Sequence, residues 1–166
     1  MKNKIFTFKV SLDKNIYRVI NMRGKSSLYK FAEAIVGAYD FDFDHCFGFF
    51  SAVKGNIYDS EEKYELFTDL EDCEDTPGAK GVKEEYIFDV FCHQKKMIFL
   101  FDYGDHWEFL VECLGTSDPV AKMRYPHIIE EKGKAPEQYP DLEDEDDEDW
   151  DEEDVEEEFD KAANYN

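Results

Sequence analysis

Four side chains able to move protons or hold a cation fall within seven positions: Asp102, Asp105, His106 and Glu108. They lie in the stretch FLFDYGDHWEFLVE, residues 99–112, interleaved with Tyr103, Gly104 and Trp107. Carboxylates beside an imidazole can bind a hard divalent cation and activate water for hydrolysis. His127 and His45, remote in sequence, are the histidines that such a site would recruit. The spacing argues the other way. The chain has no HExxH, no paired CxxC and no Gly-rich phosphate loop. No Ser or Cys sits in a nucleophile-elbow pattern. Cys46 beside His45 and Cys92 beside His93 would face opposite ways on a strand.

The simpler reading of the insert is a hairpin connection. Gly104 takes a positive φ at low cost and Asp105 suits a tight turn. Tyr103 and Trp107 flank the turn and close one end of the core. Asp102, on the polar side of a strand, needs a loop backbone or a base such as Arg18 as its partner. The competing reading is a binding lip. Its candidate residues are Asp102, Tyr103, Asp105, His106, Trp107 and Glu108, with His127. No residue is assigned a catalytic or metal-ligating role, and no cofactor is expected.

The elements that must position this stretch follow from hydrophobic period. Phe6, Phe8, Val10 and Leu12 alternate with Thr7, Lys9 and Ser11, the pattern of a half-buried strand. A turn at Asp13, Lys14 and Asn15 and a β-branched run at 16–22 make residues 4–22 a hairpin. After Ser26 or Ser27, a cap, Leu28, Phe31, Ala32, Ile35, Val36 and Tyr39 recur at helical spacing. A short aromatic strand is expected at 46–53, where Gly48 permits close approach of a neighbour. Residues 54–81 read as loop, with a small strand near 64–68. Val82, Tyr86, Ile87, Val90 and Phe91 suggest a second helix over 82–92, closed by Lys95 and Lys96. Apolar residues on both faces of 97–103 make a central strand, and 107–114 alternates as its partner. From Leu114 onward prolines break the chain, and residues 123–140 read as an extended segment. The order β-β-α-β-(β)-α-β-β predicts an α+β domain, a mixed sheet with two helices on one face, β-grasp-like in outline.

Charge divides the chain. Residues 141–160 hold 16 Asp or Glu and no Lys or Arg, whereas the preceding 140 residues carry 25 acids and 18 bases. Neighbouring charges in such a block lie well inside a Debye length of about 8 Å. Only Leu142, Trp150, Val155 and Phe159 are apolar there, too few to offset chain entropy. The organisation expected is one domain over 1–140 and a disordered acidic tail over 141–166. The tail is a solubilising extension or an arm for a basic partner. The body has three Arg, and the tail would repel phosphates, so direct DNA binding is not expected. The alternating N-terminus MKNKIFTFKV is no signal peptide, and no run approaches 18 apolar residues. A monomer in the cytoplasm, without membrane contact, is the expectation. The scattered Cys46, Cys73, Cys92 and Cys113 read as small core hydrophobes rather than a disulfide framework.

Three pieces together carry a resemblance: IVGAYDFDFDHCFGF, FLFDYGDHWEFLVE and YPHIIEEKGKAPEQYP. In this order the chain resembles the plasmid pRiA4b open-reading-frame-three-like family, whose relatives include passenger proteins of insertion elements. The resemblance spans residues 4–140 and is most specific at Tyr103, Gly104, Asp105, His106 and Trp107. Relatives often carry a histidine shortly after that tryptophan and a Cys-containing run near the end. Here Glu108 is followed by Phe109, and Gln138-Tyr139-Pro140 close the segment. The resemblance implies an α+β fold and a surface centred on the turn, and no reaction. The function expected is therefore a non-catalytic protein-interaction module, meeting an unknown protein through the tail, which suits a basic partner, or a sheet edge. The alternative is a metal-dependent hydrolase-like enzyme built on the carboxylates and histidines near the turn. The two separate on whether Asp102, Asp105, His106 and His127 converge on one pocket.

Overall fold

A computed structural model describes residues 1–74 and 76–140. The chain divides into two units, Met1–Pro136 and Glu137–Asn166. The expected acidic tail from residue 141 lies outside the described residues, and the first unit is described here.

Strands β1 (Ile5–Asp13) and β2 (Ile16–Arg23) form the expected hairpin, turned where the Asn15 N–H donates to Asp13 Oδ1 at 2.6 Å. Phe6, Phe8 and Val10 of one strand and Ile20 and Met22 of the other enter the main core. Helix α1 (Leu28–Ala38) begins at Ser27, whose Oγ accepts the Lys30 N–H. Its buried stripe is Leu28, Phe31, Ala32, Ile35 and Val36, as the spacing requires. Tyr39 ends it, donating its hydroxyl to the Val10 carbonyl at 2.8 Å, and burial pushes the phenol pKa up to about 12.

The remaining elements are β3 (Phe47–Phe50), β4 (Lys63–Glu65), α2 (Ile87–Val90), β5 (Lys96–Phe101), β6 (Trp107–Ser117) and β7 (His127–Lys132). Single 3-10 turns occupy Ile57–Asp59 and Leu66–Asp69. The strands form one seven-stranded sheet in the order β4-β3-β5-β6-β1-β2-β7. Both helices cover the face bearing Phe8, whose ring lies 4.4 Å from Phe31 and 4.8 Å from Phe91. The other face carries a smaller cluster of Phe50, Ile57 and Leu100. The architecture is α+β.

Two expectations are corrected. The sheet is not mixed: each pairing of the named strands is antiparallel. Strands β2 and β3, joined through α1, do point the same way, but β5, β6 and β1 lie between them. The parallel pair of a β-grasp outline therefore never forms. The second helix is a single turn rather than eleven residues. Its expected first half, 82–86, stays extended because it serves α1: the Val82 and Glu85 carbonyls accept the Tyr29 and Leu28 N–H groups at 3.0 and 2.8 Å. Those are donors that a helix start leaves without internal partners. The extended segment expected over 123–140 contains a strand that the sequence pattern did not mark. Strand β6 runs on to Ser117, and β7 pairs with β2 at the sheet edge. An almost wholly exposed strand has no buried face, so it shows no alternation.

All four cysteines are free thiols; half-buried Cys113 packs against the main core as expected, Cys46 is half-buried, and Cys73 and Cys92 are exposed rather than core residues. Among the described residues no helix is long and apolar enough to cross a membrane.

Candidate functional site

The turn between β5 and β6 is organised by Asp102. It is 4% exposed and sits at φ 66°. Its Oδ1 accepts the Gly104 and Asp105 N–H groups at 2.9 and 3.1 Å, and its carbonyl accepts the His106 N–H at 2.6 Å. Its own N–H donates to the Cys46 carbonyl at 2.9 Å, tying the turn to the entrance of β3. Loop backbone is thus its partner, as expected, but the base is not Arg18. The positive φ values fall on Asp102 and His106 rather than on Gly104. Glycine at 104 answers a different need: a Cβ there would lie 3.2 Å from Asp102 Oδ1.

His45 supplies the base. Its Nε2 lies 3.4 Å from Asp102 Oδ2, and its Nδ1 lies 2.7 Å from Asp44 Oδ1. The imidazole bridges two carboxylates. Its pKa is raised, first by the hydrogen bond to Asp44, against the opposing effect of burial, and then by the charges of Asp102, Asp44 and Asp105.

Tyr103 and Trp107 do not close the same end of the core. Trp107 joins the helix-covered face, its ring 4.9 Å from Phe41, and its buried indole Nε1 finds no acceptor among the described residues. Tyr103 turns to the opposite face, packs on Phe67 at 4.8 Å and donates its hydroxyl to Glu65 Oε2 at 2.7 Å. Burial, then that hydrogen bond, raises the phenol pKa strongly. Gly48 permits this approach, since a Cβ there would lie 3.0 Å from the Tyr103 hydroxyl.

A second feature lies at the other end of the sheet. A groove of about 560 Å³ runs between α1 and β7. Its floor is Ile20 and Met22, and β7 contributes Ile128. Its helical wall is Lys30, Glu33, Ala34, Gly37 and Ala38, one stripe at spacings of three and four beside the core stripe. A Cβ on Gly37 would meet nothing within 4 Å. Among the described residues, no backbone group pairs the outer side of β7. Arg18, 5% exposed, holds this edge in place. Its guanidinium donates to the Ala38, Tyr17 and Lys132 carbonyls at 3.2, 2.9 and 2.9 Å, and stacks 4.7 Å from the Tyr39 ring centre.

The family model for plasmid pRiA4b ORF-3-like protein matches residues 4–144. The chain belongs to that family. The match covers both the turn and the groove of this pRiA4b ORF-3-like chain. No curated protein matches it. Among solved structures, it is similar to the crystal structure of protein of unknown function MM3350 from Methanosarcina mazei Go1. The two share 18% identity over 79% of this chain and 71% of that one, with a TM-score of 0.64. At that identity the likeness is one of fold.

Of the residues singled out in this pRiA4b ORF-3-like sequence, Asp102, Asp105, His106 and Glu108 stay together at the turn. His106 Nδ1 lies 4.0 Å from Glu108 Oε2, both exposed. His127 does not join them. It opens β7, four strand spacings from β5, about 19 Å at the usual inter-strand distance. The loop-backbone partners of Asp102 were anticipated, but β5 ends at Phe101 and Asp102 stands in the turn rather than on a strand; Asp44 and Glu65 were missed as polar anchors, as were the carbonyls that Arg18 holds. For Glu65 and Arg18 the signal is tertiary, since Tyr103 and the Ala38 and Lys132 carbonyls lie far along the chain, whereas Asp44 is the neighbour of His45 and joins the turn only because His45 reaches Asp102.

Proposed function

We propose that this protein is a non-catalytic interaction module that receives an extended segment of a basic protein along β7. The observation carrying this reading is the pairing of an open strand edge with an apolar groove directly behind it. An added strand gains backbone hydrogen bonds from the edge, and alternate side chains enter the groove for specificity. Ile128, 38% exposed, and Ile129 give the edge apolar character, and Glu130 and Glu131 favour cationic flanks on the partner. Gly37 supports the same reading. A helix-interior glycine costs up to about 1 kcal/mol relative to alanine, and here no internal contact demands it. Its role is then to keep the groove wall low.

The hydrolase alternative needs Asp102, Asp105, His106 and His127 on one pocket, and His127 stands at the far edge of the sheet. The test is site-specific crosslinking. A photoreactive residue at Glu33, on the exposed rim of the groove, is expected to capture a basic protein through an extended segment, and Ile128→Asp should abolish that capture. The same label at Asp105 should stay silent. Capture at Asp105 with none at Glu33 would move the binding surface to the turn.

A further inference from the structure

Four cationic side chains, Lys2, Lys4, Arg23 and Lys25, line one cleft of about 220 Å³ with Asn3 and Pro119. The lining holds no Asp or Glu, although the whole chain carries a net charge of −22. Local folding brings the four together. Lys4 immediately precedes β1, and Arg23 ends β2 as the cross-strand partner of Ile5. The Lys4 N–H donates to the Met1 carbonyl and the Gly24 N–H to the Lys4 carbonyl, so the first residues fold back over the end of the hairpin. Gly24 makes this possible: a Cβ there would lie 2.8 Å from the Met1 oxygen and 3.1 Å from the Lys2 oxygen. Lys2 and Lys25 are thereby set at the same cleft. The Arg23 guanidinium is held 5.0 Å over the Tyr125 ring, which fixes its fork before any ligand arrives. Lys4 reaches Asp118 in an ion pair whose aspartate is exposed, a contact of the kind that yields readily to a competing anion.

We propose that this cleft binds a compact phosphate-bearing anion, a phosphoryl chain of two or three units. Four like charges around one cavity repel one another, and a multiply charged anion relieves that repulsion while each cation gives it a charge-assisted hydrogen bond. The size of the cleft, about 220 Å³, selects a compact ligand over a long polyanion. A short phosphoryl chain stays within a Debye length of the four cations, about 8 Å at physiological salt.

The test is calorimetric titration of the full-length chain with inorganic tripolyphosphate, at about 0.1 M ionic strength. A nucleoside triphosphate and a single-stranded oligonucleotide serve as parallel arms. Saturable one-to-one binding of tripolyphosphate is expected. Lys2→Gln with Lys25→Gln should weaken it by about tenfold or more. Lys14→Gln with Lys54→Gln, the same charge change elsewhere, should leave it unaltered. Equal affinity for the nucleoside triphosphate would identify the phosphoryl chain alone as the recognised group; tighter binding would identify a nucleotide as its carrier. The proposal is overturned by three results: no saturable binding of tripolyphosphate, an equal loss in both variant pairs, or oligonucleotide binding that tripolyphosphate does not displace.

Discussion

Glu65 is a carboxylate with 1% of its surface exposed, and the Tyr103 hydroxyl serves its Oε2 while its Oε1 finds no partner among the described residues. Removing the one donor should therefore be costly, because a buried acceptor left unsatisfied pays its full desolvation. Tyr103→Phe is expected to lower unfolding free energy by about 1–3 kcal/mol in urea titration. Adding Glu65→Leu should recover most of that loss; no recovery would mean that the pair does not act as a unit. His45 makes a prediction in pH. Its folded pKa lies above the ordinary value of 6.5, so its contribution is complete below that value and is lost as pH rises through the folded pKa. The difference in melting temperature between wild type and His45→Gln should be larger near about pH 5 than near about pH 8. The side chain is 39% exposed, which keeps the effect modest. A difference independent of pH would show that Asp44 and Asp102 do not hold the imidazolium.

The β5–β6 turn and helix α1 are the elements where packing and function separate. Trp107 is half-buried against Phe41. Trp107→Ala should cost about 2–4 kcal/mol, whereas Asp105→Ala should stay within about 0.5 kcal/mol. A neutral Trp107→Ala would remove that ring from the core and reopen the turn as a binding lip. In α1, Gly37→Ala fills open space on a helical backbone. It should stabilise the fold by about 0.5–1 kcal/mol by thermal unfolding while weakening crosslinking at the groove. A loss of stability would show that the glycine is needed for packing, against the reading given above. The helix and the β1–β2 hairpin were legible from residue spacing, because each buries one face along its whole length. The short α2 was not, since residues 82–86 are committed to the N-terminus of α1, a bond between segments more than fifty positions apart.

At the scale of the molecule, the charge is asymmetric. The 16 acids of residues 141–160 outweigh the −7 of the preceding body. A segment so charged, with four apolar residues, has little to contribute to a shared core. Deleting residues 141–166 is expected to leave the melting temperature of the body nearly unchanged in a calorimetric scan. A loss of several degrees would assign that segment a structural role. The same deletion should raise the isoelectric point well above the 4.4 of the full chain.

Local pattern in the sequence was enough to determine the α+β class, the first hairpin, the borders of α1 and the place of the turn at 102–106. Each of these is set by residues within a few positions of one another, through hydrophobic period, capping or turn chemistry. Tertiary structure alone decided which strands became neighbours, and so made the sheet antiparallel with β7 at its edge. It decided that Tyr103 and Trp107 would part to opposite faces, although they are only four positions apart. It also brought His45 to Asp102, Glu65 to Tyr103 and Arg18 to the end of α1. Buried charges take whatever partner the assembled sheet brings near, and a hydrogen bond across dozens of residues leaves no periodic trace in the chain.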